Sequence, residues 1–319
     1  MNPNHRSYLL SAVLIAVAAC SSATGAGDDD GTGGGGGGGA IVGRDVQTPY
    51  PIDRGSEGGD SPGTYKGLPL RLTDNGKPAV SAVSGVIGMV CIGMSNANQE
   101  CADFQARFRG QFAPAVNPAV RFANCAVGGH AIELWIDPSY DAELWTRCIN
   151  QVLPAAGIRP DQVRVIFHKA ADQFTSGPGN SMLPVYPAPG SDYENFRANL
   201  QSFAARVKAK FPSAQAVYTS SRSYGGYANS FTRGEPLSYE EGHALNTWLA
   251  THKTVDGVWY GWGPYLWAPA CGTGLMNKGG VCYDRADYVT DGVHPSASGE
   301  AKVSALMHAR FLAEDWYKR

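Results

Sequence analysis

From Gly85 to the C-terminus, short apolar runs alternate with longer amphipathic segments. The apolar runs are continuous, which is typical of strands that are buried on both faces. Alternation of such strands with helices favours a parallel sheet that helices cover on both sides. The sequence therefore predicts an α/β fold, a three-layer α/β/α sandwich around a central parallel sheet, flavodoxin-like in its arrangement.

The elements of this sandwich are predicted from the sequence as follows. The predicted strands are GVIGMVCIGM, AVRFANCAV, QVRVIFHKA, AQAVYTSS and GVWYGWGPYLWA. The predicted helices are NANQECADFQARFRGQF, YDAELWTRCINQVLPAAG, DYENFRANLQSFAARVKAKFP, SYEEGHALNTWLATH and SASGEAKVSALMHARFLAEDWYK. Ligands of such sheets bind beyond the carboxyl ends of the strands, so functional residues are expected in the loops that follow them.

The residues before this domain, which we place at 85–319, divide into three parts. Residues 1–19 join a basic start to an apolar run too short for a stable membrane span, as in a secretory signal. Residues 20–40 are glycine-rich and are predicted to be a disordered tether. Residues 41–84 are rich in Gly, Pro, Asp and Ser and are predicted to be a loosely structured lead-in.

The signal segment ends in VAAC, with Cys20 as its last residue. This resembles a bacterial lipobox, in which the cysteine becomes the lipidated first residue. The resemblance implies a lipoprotein bound to a bacterial membrane through Cys20. Ser21, which is not an aspartate, resembles a signal for the outer membrane or cell surface. The alternative is an ordinary signal cut near Ala18 or Ala19, with Cys20 incidental.

Charge and cysteine content narrow the class of protein further. Lys+Arg number 26 and Asp+Glu 28, so the charge gives no case for a nucleic-acid partner. Six cysteines remain after Cys20, an even number that indicates disulfides in an exported chain. We expect Cys271 to pair with Cys282 across a glycine-rich loop, and leave the pairing of Cys91, Cys101, Cys125 and Cys148 open. A metal site is the alternative, but no Cys-x-x-Cys or paired-histidine spacing supports it.

Ser95 follows the first predicted strand directly and precedes a helix. A serine here can present its hydroxyl to a substrate, or it can be an ordinary helix cap. Near the C-terminus, DGVHPSASGE places Asp291 three residues before His294, with Ser296 as the expected cap of the last helix. A histidine oriented by a carboxylate is the usual base for a serine nucleophile. Ser61, in GGDSPG, lacks the strand–serine–helix context.

IGMSNANQE at the front and DGVHPSASGEAKV at the back resemble the SGNH (GDSL-like) hydrolases over roughly Gly85 to the C-terminus. The resemblance implies that Ser95 is the nucleophile, with Asp291 and His294 completing a triad. It also implies an oxyanion hole formed by the N–H groups of Ser95 and Gly129. The family's third donor is an asparagine, but Ala171 occupies that position here. Lys169 is a candidate substitute or a plain solvated lysine.

Further residues of the strand-end loops are candidates for substrate binding. They are His130, Arg222, Tyr224, Trp262 and Tyr265. Their alternative interpretation is core packing, or for His130 a satisfied loop histidine. We predict a monomeric serine esterase without a cofactor, acting on a small-molecule or glycan ester with a short acyl group. A non-catalytic binding lipoprotein on the same fold and a lipase for longer acyl chains are the alternatives.

Overall fold

The computed structural model describes residues 63–65, 68–70, 72–169, 171–172, 176–177, 181–184, 186–273, 277 and 280–319. The predicted signal, the predicted lipidation site Cys20, the tether and Ser61 lie outside the described residues.

The secondary structure follows the sequence from the lead-in to the last helix. The strands are β1 Gly63–Tyr65, β2 Leu68–Leu70, β3 Ile87–Gly93, β4 Val120–Asn124, β5 Val163–Lys169, β6 Ser176–Gly177, β7 Ser181–Met182, β8 Ala216–Ser220, β9 Thr254–Val255 and β10 Val258–Trp262. The α-helices are α1 Ser95–Arg109, α2 Ile132–Ile136, α3 Leu153–Ala155, α4 Asp192–Lys210, α5 Leu237–Thr251 and α6 Ala297–Leu312. π-helical segments span Ala142–Thr146 and Cys148–Val152.

The main sheet has the strand order β4-β3-β5-β8-β10-β9. All neighbours are parallel except β9, which pairs antiparallel with β10 at the edge. The chain leaves β3 for β4 on one side and then crosses to β5 on the other. The loops after β3 and β4 therefore diverge at a switch point, where α/β sheets form a crevice beyond their carboxyl ends.

Side chains of one strand alternate between two helical layers, as the predicted sandwich requires. Met89 and Cys91 of β3 belong to a core cluster that includes Phe104 of α1 and Met307 of α6. Val90 and Ile92 belong to a second cluster that includes residues of α4 and α5. The predicted three-layer α/β/α fold is confirmed.

One predicted helix, at residues 140–157, has a different form. It is made of the two π-helical segments followed by the short α3, because tertiary bonds hold its middle. Arg147 Nη2 donates to the carbonyl of Cys125 at 2.8 Å, and Cys148 is disulfide-bonded to Cys125. Sequence periodicity does not reveal such constraints. The short helix α2 was not predicted at all.

Three disulfides join the described cysteines. Cys271–Cys282 is the predicted pair and is confirmed. Cys91–Cys101 ties β3 to α1, and Cys125–Cys148 ties the residue after β4 to the π-helical region. The sequence left these two pairings open, because pairing depends on which segments the fold brings together.

Part of the lead-in is bonded to the domain. Asn75 Nδ2 donates to the carbonyls of Leu249 and Tyr260 at 3.0 and 2.9 Å, and Trp259 Nε1 donates to the Asn75 carbonyl. Residues 72–84 are thus held along α5 and β10. Within the described part of the chain, no helix combines the length and apolar character that crossing a membrane requires.

Candidate active site

Ser95 is the first residue of α1, immediately beyond the carboxyl end of β3. Met94 holds the N-cap position in extended conformation, without a side-chain cap. Ser95 is therefore not the cap of this helix. Its Oγ instead lies 2.8 Å from Nε2 of His294, at hydrogen-bond distance.

The turn into α1 requires glycine at position 93. A Cβ on Gly93 would lie 2.6 Å from Cβ of Ala97 and 3.0 Å from the carbonyl oxygen of Lys169. Contacts this short do not occur between real Cβ atoms, so only glycine lets α1 start this close to β5. This close approach fixes where Ser95 emerges from the sheet.

His294 is oriented by Asp291, as predicted. Nδ1 of His294 lies 2.5 Å from Oδ2 of Asp291, which leaves Nε2 free to accept from the Ser95 hydroxyl. Oδ1 of Asp291 accepts from the N–H groups of Val293 and His294 at 2.8 and 3.0 Å. Burial alone would raise the pKa of Asp291, but these hydrogen bonds hold its pKa below the usual value. The carboxylate thus stays charged beside the imidazole.

The site is open to solvent. The side chains of Asp291 and His294 are 44% and 30% exposed, so a substrate can reach the imidazole. The loop that carries them is tied to the nucleophile's own helix, because Asn96 Nδ2 donates to the Val293 carbonyl at 2.7 Å. On the other side, the N–H of Asn229 donates to the Asp291 carbonyl at 2.9 Å.

Backbone donors are available where the resemblance predicts an oxyanion hole. The N–H of Ser95 lies in the first turn of α1, where no intrahelical acceptor exists. A Cβ on Gly128 would lie 4.0 Å from Cβ of Ser95, so the loop after β4 contacts the nucleophile. Gly129 follows with a φ of +78°. The N–H groups of Ser95, Gly128 and Gly129 have no acceptor among the described residues. The oxyanion role of Gly129 stays a prediction.

Lys169 does not have the free ammonium group that an oxyanion donor needs. Its Nζ lies 2.5 and 2.6 Å from the two carboxylate oxygens of Glu100, and both side chains are almost fully buried. Burial lowers the pKa of Lys169 and raises that of Glu100, while their mutual attraction opposes both shifts. Its expected role as an oxyanion donor or as a solvated lysine is corrected accordingly: Lys169 is half of a buried ion pair beneath α1.

The predicted substrate-binding residues separate into two places. Arg222 and Tyr224 line a pocket together with the neighbours of the catalytic residues, Met94, Asn96 and Val293. Trp262 and Tyr265 line a different cavity, beside residues 72–76 of the lead-in. Their assignment to the Ser95 site is therefore wrong. Both end up buried where β10 meets the lead-in and α6.

His130 is a satisfied loop histidine, one of its two predicted interpretations. Nδ1 bonds to the carbonyl of Gly128 at 2.8 Å, and Nε2 lies 3.0 Å from Oε1 of Glu143. Both ring nitrogens are engaged, so His130 braces the loop that carries the glycine pair.

Ala171, where the family has its asparagine donor, lines the same pocket as Arg222. Sequence reasoning missed two other pocket residues, Arg233 and Ser238. Nothing in their local sequence distinguishes them, because they come from the long loop after β8 and from α5. Asn96 was also missed, although its position next to Ser95 is a usable signal.

A buried acidic cluster lies next to Ala171 in the chain. One carboxylate oxygen each of Asp172, Asp192 and Glu241 lies within 4.8 Å of the others, a spacing that could hold a cation. Burial, reinforced by neighbouring carboxylates, raises the pKa of Asp172 and Glu241 well above the usual values. Arg222 Nε stands 3.8 Å from Glu241 Oε2. Protonation and this arginine therefore relieve the charge of the cluster.

No family model and no curated protein sequence matches the chain. Among solved structures, a lipase/acylhydrolase from Enterococcus faecalis is similar, with 17% identity, a TM-score of 0.41, and coverage of 71% of this chain and 95% of that one. A carbohydrate esterase family 3 protein from Talaromyces cellulolyticus is similar with 10% identity, a TM-score of 0.43, and coverage of 72% and 97%. Similarity at this level carries no argument about chemistry. The SGNH-like fold expected from the motifs is present in the sheet order and layers described above.

Gly292, between Asp291 and His294, allows a test of the loop. Its φ is +69°, and a Cβ would lie 1.7 Å from the carbonyl oxygen of Tyr227. We expect Gly292→Ala to displace the loop and to lower the hydrolysis of p-nitrophenyl acetate at least about tenfold. Gly257→Ala is the matched control, because Gly257 has a φ of +78° with nothing within 4 Å. Equal rates for the two variants would contradict this.

The Lys169–Glu100 pair makes a second prediction. Lys169→Met leaves a buried carboxylate unpaired, and we expect unfolding in guanidinium chloride to show a loss of about 3–5 kcal/mol. The double variant Lys169→Met/Glu100→Gln should recover most of this loss, because no buried charge remains. A stable double variant that nevertheless hydrolyses ester far more slowly than wild type would restore the oxyanion role to Lys169.

Proposed function

We propose that this protein is a serine ester hydrolase that works through an acyl-enzyme on Ser95. The observation that carries the proposal is the continuous chain of contacts from Ser95 Oγ through His294 to Asp291, at 2.8 and 2.5 Å, beyond the carboxyl end of β3. A serine, an imidazole and an ionised carboxylate in this order form the arrangement that activates a hydroxyl.

The reaction follows from these positions. Nε2 of His294 takes the Ser95 proton while Oγ bonds to the ester carbonyl carbon. The N–H groups of Ser95 and of the Gly128–Gly129 loop receive the developing oxyanion, each such donor contributing a few kcal/mol. The tetrahedral intermediate collapses, its bond to the alcohol oxygen breaks, and His294 gives its proton to that oxygen.

Deacylation reverses the proton path. Water attacks the acyl carbon while Nε2 of His294 accepts its proton, and the imidazolium then returns a proton to Ser95 Oγ as the acid leaves. The ionised Asp291 stabilises the imidazolium in both halves of the reaction. With Ala171 where the family has asparagine, the oxyanion relies on backbone donors.

The acyl group is proposed to be short. The pocket beside the catalytic residues encloses about 380 Å³ counted to its mouth, near the lower end of ordinary ligand pockets. A carbohydrate alcohol is the predicted partner, but of the aromatic residues that favoured it only Tyr224 lines this pocket. A lipase for long chains and a non-catalytic binding protein remain the alternatives to be tested.

The test is turnover of p-nitrophenyl esters by residues 41–319 and by the full chain. We expect Ser95→Ala to reduce kcat/KM for the acetate at least about 10³-fold, since the nucleophile is lost. Ser202→Ala is the control, because Ser202 is exposed on α4 and bonds only to the Ala198 carbonyl.

The outcomes separate the three functions. Equal inertness of wild type and Ser95→Ala in both forms of the protein would favour the binding protein. A rate that rises from acetyl to long acyl chains would favour the lipase. Hydrolysis that peaks at short acyl groups and disappears in Ser95→Ala supports the proposal.

We further propose that the protein is exported and held at a bacterial membrane by lipid on Cys20, at the outer membrane or cell surface. The lipobox-like VAAC and the glycine-rich segment after it support this, and three disulfides suit an oxidising compartment. We expect the full chain, expressed in a bacterium with an alkyne fatty acid, to be labelled, and Cys20→Ala to be unlabelled and released from membranes. An unlabelled, membrane-free wild type would favour the ordinary signal peptide.

A further inference from the structure

The pocket beside Ser95 has two contrasting walls. One wall comes from the catalytic segments, with Met94 and Asn96 flanking Ser95 and with Val293 preceding His294. The other wall comes from the loop after β8 and from α5, and it carries Arg222 and Arg233. Any group that enters the pocket from the catalytic serine therefore meets two guanidinium groups.

Neither guanidinium donates a hydrogen bond to a residue in the described part of the chain. Arg222 is 12% exposed and has one ion-pair partner, Glu241, at 3.8 Å from Nε, which is beyond hydrogen-bond length. No carboxylate among the described residues lies within ion-pair distance of Arg233. Burial and then the charge of Arg222 lower the pKa of Arg233, while the more distant Asp291 raises it. The two cations thus sense each other across the pocket.

A buried hydroxyl completes this wall. Ser238 of α5 lines the pocket, is fully buried, and its Oγ has no hydrogen-bond partner among the described residues. A buried polar atom normally has a partner, so an unmatched hydroxyl beside two guanidinium groups points to an acceptor that comes from outside. Lys169 also lines the pocket, but its ammonium is bonded to Glu100.

The acidic cluster behind Arg222 offers a competing explanation for that residue. Arg222 could serve only to neutralise Glu241 and Asp172. Burial raises the pKa of both carboxyls well above the usual values, however, which reduces the negative charge they present. The cluster also does not explain Arg233, whose listed interactions include no member of it. One of the two positive charges is therefore left for a ligand.

We propose that this pocket binds a carboxylate of the substrate, so that the preferred esters are anionic, with the carboxylate a few bonds from the ester carbon. This deepens the proposed esterase function and rests on it. Arginine suits the role because its planar donors match the two oxygens of a carboxylate. The carboxylate belongs either to the acyl group or to the alcohol, since both meet at the carbonyl that Ser95 attacks.

The experiment compares isosteric pairs of esters. For the acyl side the pair is mono-4-nitrophenyl glutarate and 4-nitrophenyl valerate, and for the alcohol side it is 4-acetoxybenzoate and 4-methylphenyl acetate. The ratio of kcat/KM, anionic over neutral, is measured for wild type, Arg233→Gln, Arg222→Gln and Arg233→Lys. Intrinsic reactivity cancels when one ratio is compared across variants.

Arg109→Gln is the matched control, because Arg109 is exposed at the opposite end of α1, about 20 Å along the helix. We expect Arg233→Gln or Arg222→Gln to lower the ratio at least fivefold in one pair, Arg233→Lys to lower it less, and Arg109→Gln to leave it unchanged. The arm that responds identifies which half of the ester carries the carboxylate.

Two failures are distinguishable. If wild type hydrolyses neutral esters and Ser95→Ala does not, yet both arginine variants change the ratio less than fivefold in both pairs, the carboxylate site is overturned and the esterase stands. If wild type hydrolyses no ester faster than Ser95→Ala does, the esterase itself is overturned and the inference falls with it. Melting temperatures of all variants confirm that each is folded.

Discussion

The hydrogen bond between Ser95 Oγ and His294 Nε2 joins residues 199 positions apart, and the parallel sheet makes it possible. Parallel strands end at a common edge, so a loop near the start of the domain and a loop before its last helix emerge side by side. α1 and α6 pack against each other on one face of the sheet, and each begins at this edge. The reacting groups depend on that packing, because neither loop holds the other's residue by itself.

Two steric constraints fix the orientation of the reacting groups. Gly93 admits α1 close to β5, and Gly292 admits the Asp291–His294 loop against the Tyr227 carbonyl. Hydrogen bonds then hold the loop from both sides through Asn96 and Asn229. The catalytic geometry is therefore set mainly by backbone close approach, which tolerates little change in side-chain volume.

Charges around the site are arranged in separate layers. Glu100 and Lys169 neutralise each other beneath α1, and raised pKa values relieve the acidic cluster behind Arg222. The ionised Asp291 is the negative group nearest the imidazole, and Arg222 and Arg233 make the pocket wall positive. A negative charge for the imidazolium and positive charge for the rest of the substrate thus stand on opposite walls.

The sequence by itself determined the strand–helix order, the three-layer fold and the candidacy of Ser95, Asp291 and His294, since continuous apolar runs and motif context are local properties. It also located Cys271–Cys282, whose loop is short. Only the tertiary structure decided that Lys169 pairs with Glu100, that Trp262 and Tyr265 face another cavity, and that Arg233 and Ser238 join the pocket. Those outcomes depend on which distant elements come into contact and on which groups lose water there, and no local pattern encodes that.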